Sequence, residues 1–515
     1  MSKSNVSIYL LNGQHNHDEY VRNHQHLDYK DGYTVAYKSY SEKVPNDIDL
    51  FVTDTELKNR LKTKGTSLCI IKTVNVENES VTFGITFGFG HHLLVQDYIV
   101  PNFGIISLMN MADKDQIRQI HRRSMSKKSK ISQEQMPSKS NLSDFGFNVY
   151  TDILNGASAN INSVYLSGNV QGKEALKGSI EQNIDNVDDY LIFAYKEFKK
   201  ENYKIKFPFF DNIKPVKKQS IIAPLDQQIV QKLNDHNNED LILAFPIIVD
   251  WSDIDFVSYP YQQRNSTNRF RDIEINDFFE NANYTDAKKL LNQNFMIHYI
   301  DENKNQAINF KKCLLAELSL GDDRYCLVDG HYYQITSSLI REAKDYYNSI
   351  PVDDLHFSDC HQKEGDYIQT IHQSHGIFLD RKIVRDDYNT EICDILTSDK
   401  KFVHIKKYSG VAPMSHLFFQ ALNSSQFFKQ DRIFFNKMNQ IIDRACQEQG
   451  KEGSDFILPQ DFNSNDYEIV LCVLNKEGLL RPNLSLFTLL SLRETAQSML
   501  NMGFKVAIYG VKDLY

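Results

Sequence analysis

The stretch that most constrains this chain is Thr390–Lys407, TEICDILTSDKKFVHIKK, because it commits charged side chains to strands. Ser398 and Asp399 are turn formers, and β-branched and aromatic residues flank them, so the spacing predicts two strands around a turn at Thr397–Lys400. Period two then assigns the faces. Phe402, His404 and Lys406 share one face, while Val403 and Ile405 take the other and suit a core. Asp394 falls on the face of Ile392, and Glu391 falls on the opposite one unless a bulge re-aims it. Such a hairpin brings Asp394 near His404 and Lys406. An acid, an imidazole and an ammonium among apolar neighbours are costly unless they are paired or put to use.

The flanking segments give the hairpin a context. Glu364-Gly-Asp-Tyr-Ile-Gln-Thr-Ile-His-Gln predicts a helix, and Gly376-Ile-Phe-Leu-Asp-Arg-Lys-Ile-Val a strand. Ser415-His-Leu-Phe-Phe-Gln-Ala-Leu predicts a second helix. Tyr467-Glu-Ile-Val-Leu-Cys-Val-Leu is almost wholly apolar, the mark of a strand buried on both faces. The order helix, strand, strand, strand, helix, strand resembles the core of the restriction-endonuclease-like fold. That resemblance implies an acid on the second strand, Asp394, and a (D/E/Q)-x-K motif on the third, here His404-Ile405-Lys406 with an atypical first position. It also implies an acid from the preceding helix, Glu364.

The expected chemistry is hydrolysis of a phosphodiester with Mg²⁺ or Mn²⁺, held by carboxylates and completed by substrate phosphate and water. The expected metal ligands are Asp394, Glu364 and Glu391, and Lys406 is expected to orient water or stabilise developing charge. His404 can ligate through a neutral imidazole, which suits Mn²⁺ better than Mg²⁺. His416 and Gln420 sit four apart on one helical face, and Gln420 is expected to join the site. Ser415 fits a helix N-cap or a phosphate contact. Lys407 and His416 complete the expected nucleic-acid contacts on this side. The alternative for Asp394, His404 and Lys406 is a buried polar network tying two strands together. Asp380 in FLDRK reads as the end of a strand in a turn.

Blocks along nearly the whole chain carry a wider likeness: SIYLLN, FGITFGFGHHLL and NFGIISLMN, then RYCLVDGHYYQI and EGDYIQ, then EICDILTSDKKFVHIKKY, SHLFFQALNSSQFF, DYEIVLCVLN and NMGFKVAIYGV. In these the chain resembles a sporadically distributed family of uncharacterised bacterial proteins found beside defence genes. The resemblance implies a role in antiviral defence and supplies no activity.

At 515 residues, two or three domains are expected. The reading is a multidomain chain of α/β and α+β type: an α+β domain over 1–116, a basic linker over 117–144, a middle α+β domain over 145–350 and the restriction-endonuclease-like domain over 351–515. A net charge of −9 argues against a protein that coats nucleic acid, but leaves room for a local basic cleft. The best basic segment is 117–144, which holds Arg122, Arg123, Lys127 and Lys128; it is expected to track a nucleic-acid backbone or to be a solvated linker. Seven scattered Cys with no CxxC read as reduced thiols. No run reaches the length of a membrane span and the N-terminus lacks a signal-peptide core, so a cytoplasmic protein is expected.

Smaller expectations concern single segments. Leu166–Leu176 reads as a turn entering a helix. Cys313–Leu318, Tyr325–Asp329 and His331–Ile335 read as a meander with Asp-Gly at a turn, followed by a helix at Ser337–Ser349. The functional expectation is a metal-dependent endonuclease acting on DNA, with RNA left open, in bacterial anti-phage defence. The alternative is a catalytically inert nucleic-acid- or protein-binding sensor of the same fold. A homo-oligomer or a defence-system protein partner fits either.

Overall fold

The computed structural model describes residues 4–22, 26–39, 55–60, 66–125, 130–140, 142, 144–181, 184–237, 240–261, 268–301, 305–384, 390–430 and 432–515. Its N-terminal part is one sheet of ten strands: β1 (Ser4–Leu11), β2 (His26–Lys30), β3 (Tyr33–Ser39), β4 (Thr66–Val76), β5 (Glu79–Gly88), β6 (Ile117–Ser124), β7 (Ile131–Ser140), β8 (Asp152–Asn162), β9 (Ser167–Gly172) and β10 (Leu176–Ile180). They lie in the order β2-β3-β4-β5-β1-β10-β9-β8-β6-β7, each antiparallel to its neighbours. Helices α1 (Phe103–Met111) and α2 (Asp188–Lys199) bury Phe103, Leu108, Tyr190 and Leu191 in one cluster with Ile8, Phe83 and Ile85 of the sheet.

Two sequence expectations change in this region. Residues 117–144 are not a linker: β6 and β7 are sheet strands, and β6 lies between β7 and β8. The basic residues suggested solvent, but Ile117 and Ile120 are fully buried, and Glu134 and Asp152 of the neighbouring strands pair with Arg122. Leu166–Leu176 forms a hairpin of β9 and β10 in place of a helix, because both strands find sheet partners on either side. The ten-stranded sheet therefore runs past both expected boundaries, 116 and 144, to Ile180.

The middle part holds a five-stranded sheet of β11 (Ile213–Pro215), β12 (Leu241–Leu243), β16 (Leu314–Leu320), β17 (Asp323–Val328) and β18 (His331–Ile335), in the order β11-β18-β17-β16-β12. A three-stranded sheet of β13 (Ile254–Ser258), β14 (Asn294–Tyr299) and β15 (Gln306–Asn309) lies beside it in the chain. The expected meander is β16–β17–β18, and its Asp329-Gly330 turn has both residues at positive φ, 52° and 83°. Helix α3 (Ser337–Ser349) follows as expected.

The C-terminal part begins with α4 (Glu364–His375) and continues through β19 (Ile377–Phe378), β20 (Ile383–Val384), β21 (Thr390–Glu391), β22 (Ile395–Leu396) and β23 (Lys401–Lys407). Helices α5 (Val411–Gln430) and α6 (Arg432–Gln449), strand β24 (Glu468–Asn475), helix α7 (Leu486–Asn501) and strand β25 (Lys505–Lys512) complete it. The main sheet has the order β19-β22-β23-β24-β25. Its first three strands are antiparallel and its last three parallel.

Alternation explains why this sheet is layered. Ile469, Leu471 and Val473 of β24 pack with Leu417 and Phe418 of α5 and Leu490 of α7. Val470, Cys472 and Leu474 pack with Tyr367, Ile368 and Ile371 of α4 on the other face. Burial of each such side chain stabilises the domain by roughly 1.5–3 kcal/mol. Among the described residues no helix is long and apolar enough to cross a membrane.

Candidate functional site

The site sits where the first strands of this sheet break up. Strands β21 and β22 are two residues each, and Ile392–Asp394 between them is not strand. β21 leaves the main sheet and pairs with β20, with Ile383 opposite Glu391. This break re-aims Glu391, which simple alternation had placed on the wrong face. Asp394, just outside β22, is still tied to the sheet: its amide donates to Val403 O at 3.0 Å and its carbonyl accepts from Leu379 N at 2.8 Å.

Carboxylate oxygens of Asp380, Glu391 and Asp394 lie within 4.8 Å of one another. Asp394 is 5% exposed and accepts a 2.5 Å hydrogen bond from Ile405 N. Burial pushes its carboxyl well above the usual carboxylate range, the Ile405 amide opposes that rise, and the charges of Glu391, Asp380 and Glu364 add to it. Glu391 is raised chiefly by burial as well, and it accepts hydrogen bonds from the Arg381 amide and, at 2.6 Å, from Gln420 Nε2. Asp380 is raised by burial, with Arg381 pulling down and Glu364 pushing up.

A fourth acid borders the trio. Glu364, the first residue of α4, accepts from Lys406 Nζ at 2.5 Å and from the Lys407 amide at 2.7 Å. Lys406 in turn lowers the carboxyls of Asp380 and Glu391. The exposed Arg381 holds φ at 58° and lies 3.7 Å from Asp380. Backbone held in this left-handed region costs a non-glycine residue energy and is common where a side chain must be aimed.

Asp394, Glu391, Glu364, Lys406 and Gln420 therefore lie at one place, with one change in the acids that could hold a metal. Glu364 is engaged by Lys406 and lies outside the three-carboxylate group, and Asp380 takes its place. Sequence reading took Asp380 for the end of a strand in a turn, which it is, and set it aside as a ligand because its approach to Glu391 depends on the β20–β21 pairing, which no local spacing announces.

Other expected residues are elsewhere. His404 shares a face with Phe402, as alternation required, but that face is sealed: His404 is fully buried, and neither ring nitrogen has a hydrogen-bond partner among the described residues. Burial lowers its pKa to about 3, so it is a neutral core residue and not a member of the acidic group. Ser415 is buried inside α5, four residues after the helix start, with its Oγ 3.5 Å from Ser491 Oγ. It is neither an N-cap nor open to a phosphate. His416 is exposed on α5, one turn before Gln420. Lys407 pairs with Asp513 at 2.9 Å and donates to Tyr515 O at 3.1 Å.

Arg122 and Arg123 of β6 are likewise engaged. Arg122 bridges Glu134 at 2.7 Å and Asp152 at 2.9 Å and donates to Gly146 O. Arg123 is fully buried, donates to Phe245 O at 2.8 Å and lies 3.4 Å from Asp329. Neither guanidinium is free to meet a phosphate. Lys127 and Lys128 lie outside the described residues.

With this arrangement in view, the chain belongs to a family of unknown function, DUF6119, which matches residues 5–512. No curated protein matches it.

Proposed function

We propose that the C-terminal domain is a metal-dependent nuclease acting on DNA. The observation that carries the proposal is the meeting of Asp380, Glu391 and Asp394 within 4.8 Å, with Lys406 beside them. The run α4-β19-β22-β23-α5-β24, with three antiparallel strands followed by a parallel one, supports a restriction-endonuclease-like core. The defence setting rests on the resemblance described above.

The donor set fits a hard divalent cation. Three carboxylates supply oxygen only, the ligand type that Mg²⁺ and Mn²⁺ take. Crowding these acids in a buried place raises their pKa values, and a cation relieves the same repulsion that protons otherwise relieve. When bound, such an ion neutralises the phosphate and lowers the pKa of a water. The chain's own groups do the rest. Asp394 is fixed by Ile405 N, Glu391 by Gln420 and the Arg381 amide, and both are thereby oriented before substrate arrives. Lys406, steadied by Glu364, offers an ammonium where negative charge develops on the phosphate oxygens.

The test is plasmid DNA, single-stranded DNA and RNA incubated with Mg²⁺ or Mn²⁺. Cleavage by the wild type, lost in Asp394→Ala and Lys406→Ala, is expected. A second reading, an inert nucleic-acid- or protein-binding sensor, is favoured by one observation: His404 stands where the second motif otherwise offers a carboxylate, and it is sealed in the core. Binding without cutting under either metal selects that reading.

A further inference from the structure

A cleft of about 650 Å³ lies between the middle part and the head of α5, and none of Glu364, Asp380, Glu391 and Asp394 lines it. Its floor is Phe245 and Ile273, its wall on one side is Ser409 and Pro413, and Ile131 of β7 closes part of the rim. Pro413 belongs to α5, the helix that carries Gln420.

Three features of this cleft point to the same occupant. The first is apolar exposure. Ile248 is 61% exposed, and Trp251 is 49% exposed with its ring 6.2 Å from that of Phe245. Apolar side chains gathered at one place in this way mark interaction sites. The second is unpaired main chain. β12 is the edge strand of its sheet, and beyond it Ile247, Ile248 and Val249, which lie in no strand, have backbone groups with no hydrogen-bond partner among the described residues. An open edge of this kind is a template for an added strand. The third is charge. Asp272 and Glu274 line the cleft and are exposed, and no cation pairs with either among the described residues.

We propose that this cleft binds an extended peptide segment of a partner protein in which apolar residues alternate with lysine or arginine. Its main chain pairs with the outer edge of β12 and runs on along the unpaired backbone of 247–249. Period two sends its apolar side chains against Ile248, Phe245 and Trp251, and its cations toward Asp272 and Glu274. A nucleic-acid strand is disfavoured by the same two carboxylates, which repel phosphate.

Trp251 is the sole tryptophan of the chain, so its emission reports the cleft directly. The full chain is titrated with an octapeptide of alternating valine and lysine, and with the analogue carrying glutamate for lysine. The lysine peptide is expected to shift the emission to the blue saturably and to bind at least about tenfold more tightly than its analogue. Ile248→Asp and Glu274→Lys, both at exposed positions, are expected to weaken it by a similar factor with an unchanged circular dichroism spectrum. Equal response to both peptides, or to neither, overturns the proposal. So does an emission shift that grows with protein concentration alone alongside a doubled mass in light scattering, which identifies a second copy as the occupant.

Discussion

Two strand pairs of this chain carry conspicuous charge, and they meet opposite fates. On β6, Arg122 is bridged by Glu134 and Asp152 and Arg123 lies against Asp329, so each guanidinium has an acid beside it. Around β22 and β23, four carboxylates face Lys406 and Arg381, and Lys406 is already engaged by Glu364. In the first region both cations are matched, and Arg123 is closed off from solvent. The second has acid in excess, and burial raises the carboxyls of Asp380, Glu391 and Asp394 above their ordinary range. Charge on a strand is therefore structural where its counter-charge is present and available for chemistry where it is missing.

The largest effect that can break this contrast is on cleavage. Asp394→Asn should reduce metal-dependent DNA cleavage at least about 10²-fold, while Arg122→Ala leaves both cleavage and the salt dependence of DNA binding unchanged. A flatter salt slope in Arg122→Ala would return β6 to the nucleic-acid interface. Next comes stability. Arg123→Ala should cost about 3–5 kcal/mol in urea unfolding, because it empties a fully buried site and leaves the half-buried Asp329 without its cation. A cost near zero would mean that Arg123 is not closed off as described here.

A third effect sharpens the acidic side. Mn²⁺ at a hundredfold excess over its Kd should stabilise the fold by about 2.7 kcal/mol, read as a raised Tm. Because Asp380, Glu391 and Asp394 all titrate above their usual range, protons compete with the ion, and the stabilisation should shrink as the pH falls through that raised range. Asp394→Asn should lose most of it; a stabilisation that survives this change places the ion elsewhere.

His404 gives a smaller and opposite effect. Folding lowers its pKa from 6.5 to about 3. Between those values the unfolded chain holds the proton and the folded chain does not. Its contribution to stability is thus intact above pH 6.5 and is lost as the pH falls toward 3. His404→Leu also removes two unpaired ring nitrogens. The variant should be more stable than the wild type by about 1–3 kcal/mol at pH 7, with a wider gap at pH 5. A less stable variant would show that the imidazole has a partner after all. Smallest of the five, Gln420→Leu should weaken Mn²⁺ binding about tenfold in calorimetry by freeing Glu391; an unchanged affinity would make Gln420 a bystander.

Much of this site was legible before any fold was known. Turn residues and period two place the 390–407 hairpin, and the acid, lysine and flanking helices follow from it. Asp380 was not legible. It meets Glu391 only because β20 and β21 fold over as a separate pair. The fate of His404 was half legible: alternation gave its face, but not that the face would be sealed.

The chain by itself determined its local elements: the apolar β24, the helices at Glu364 and Ser337, the Asp-Gly turn, and the residue types able to hold a cation. These depend on neighbours a few positions apart, which the order of residues states directly. Only the tertiary structure decided which charges would be cancelled. Arg122 meets Asp152 thirty positions away and Arg123 meets Asp329 more than two hundred away. Coulomb energy depends on distance and on exclusion of water, and neither exists for such pairs until the sheets have assembled.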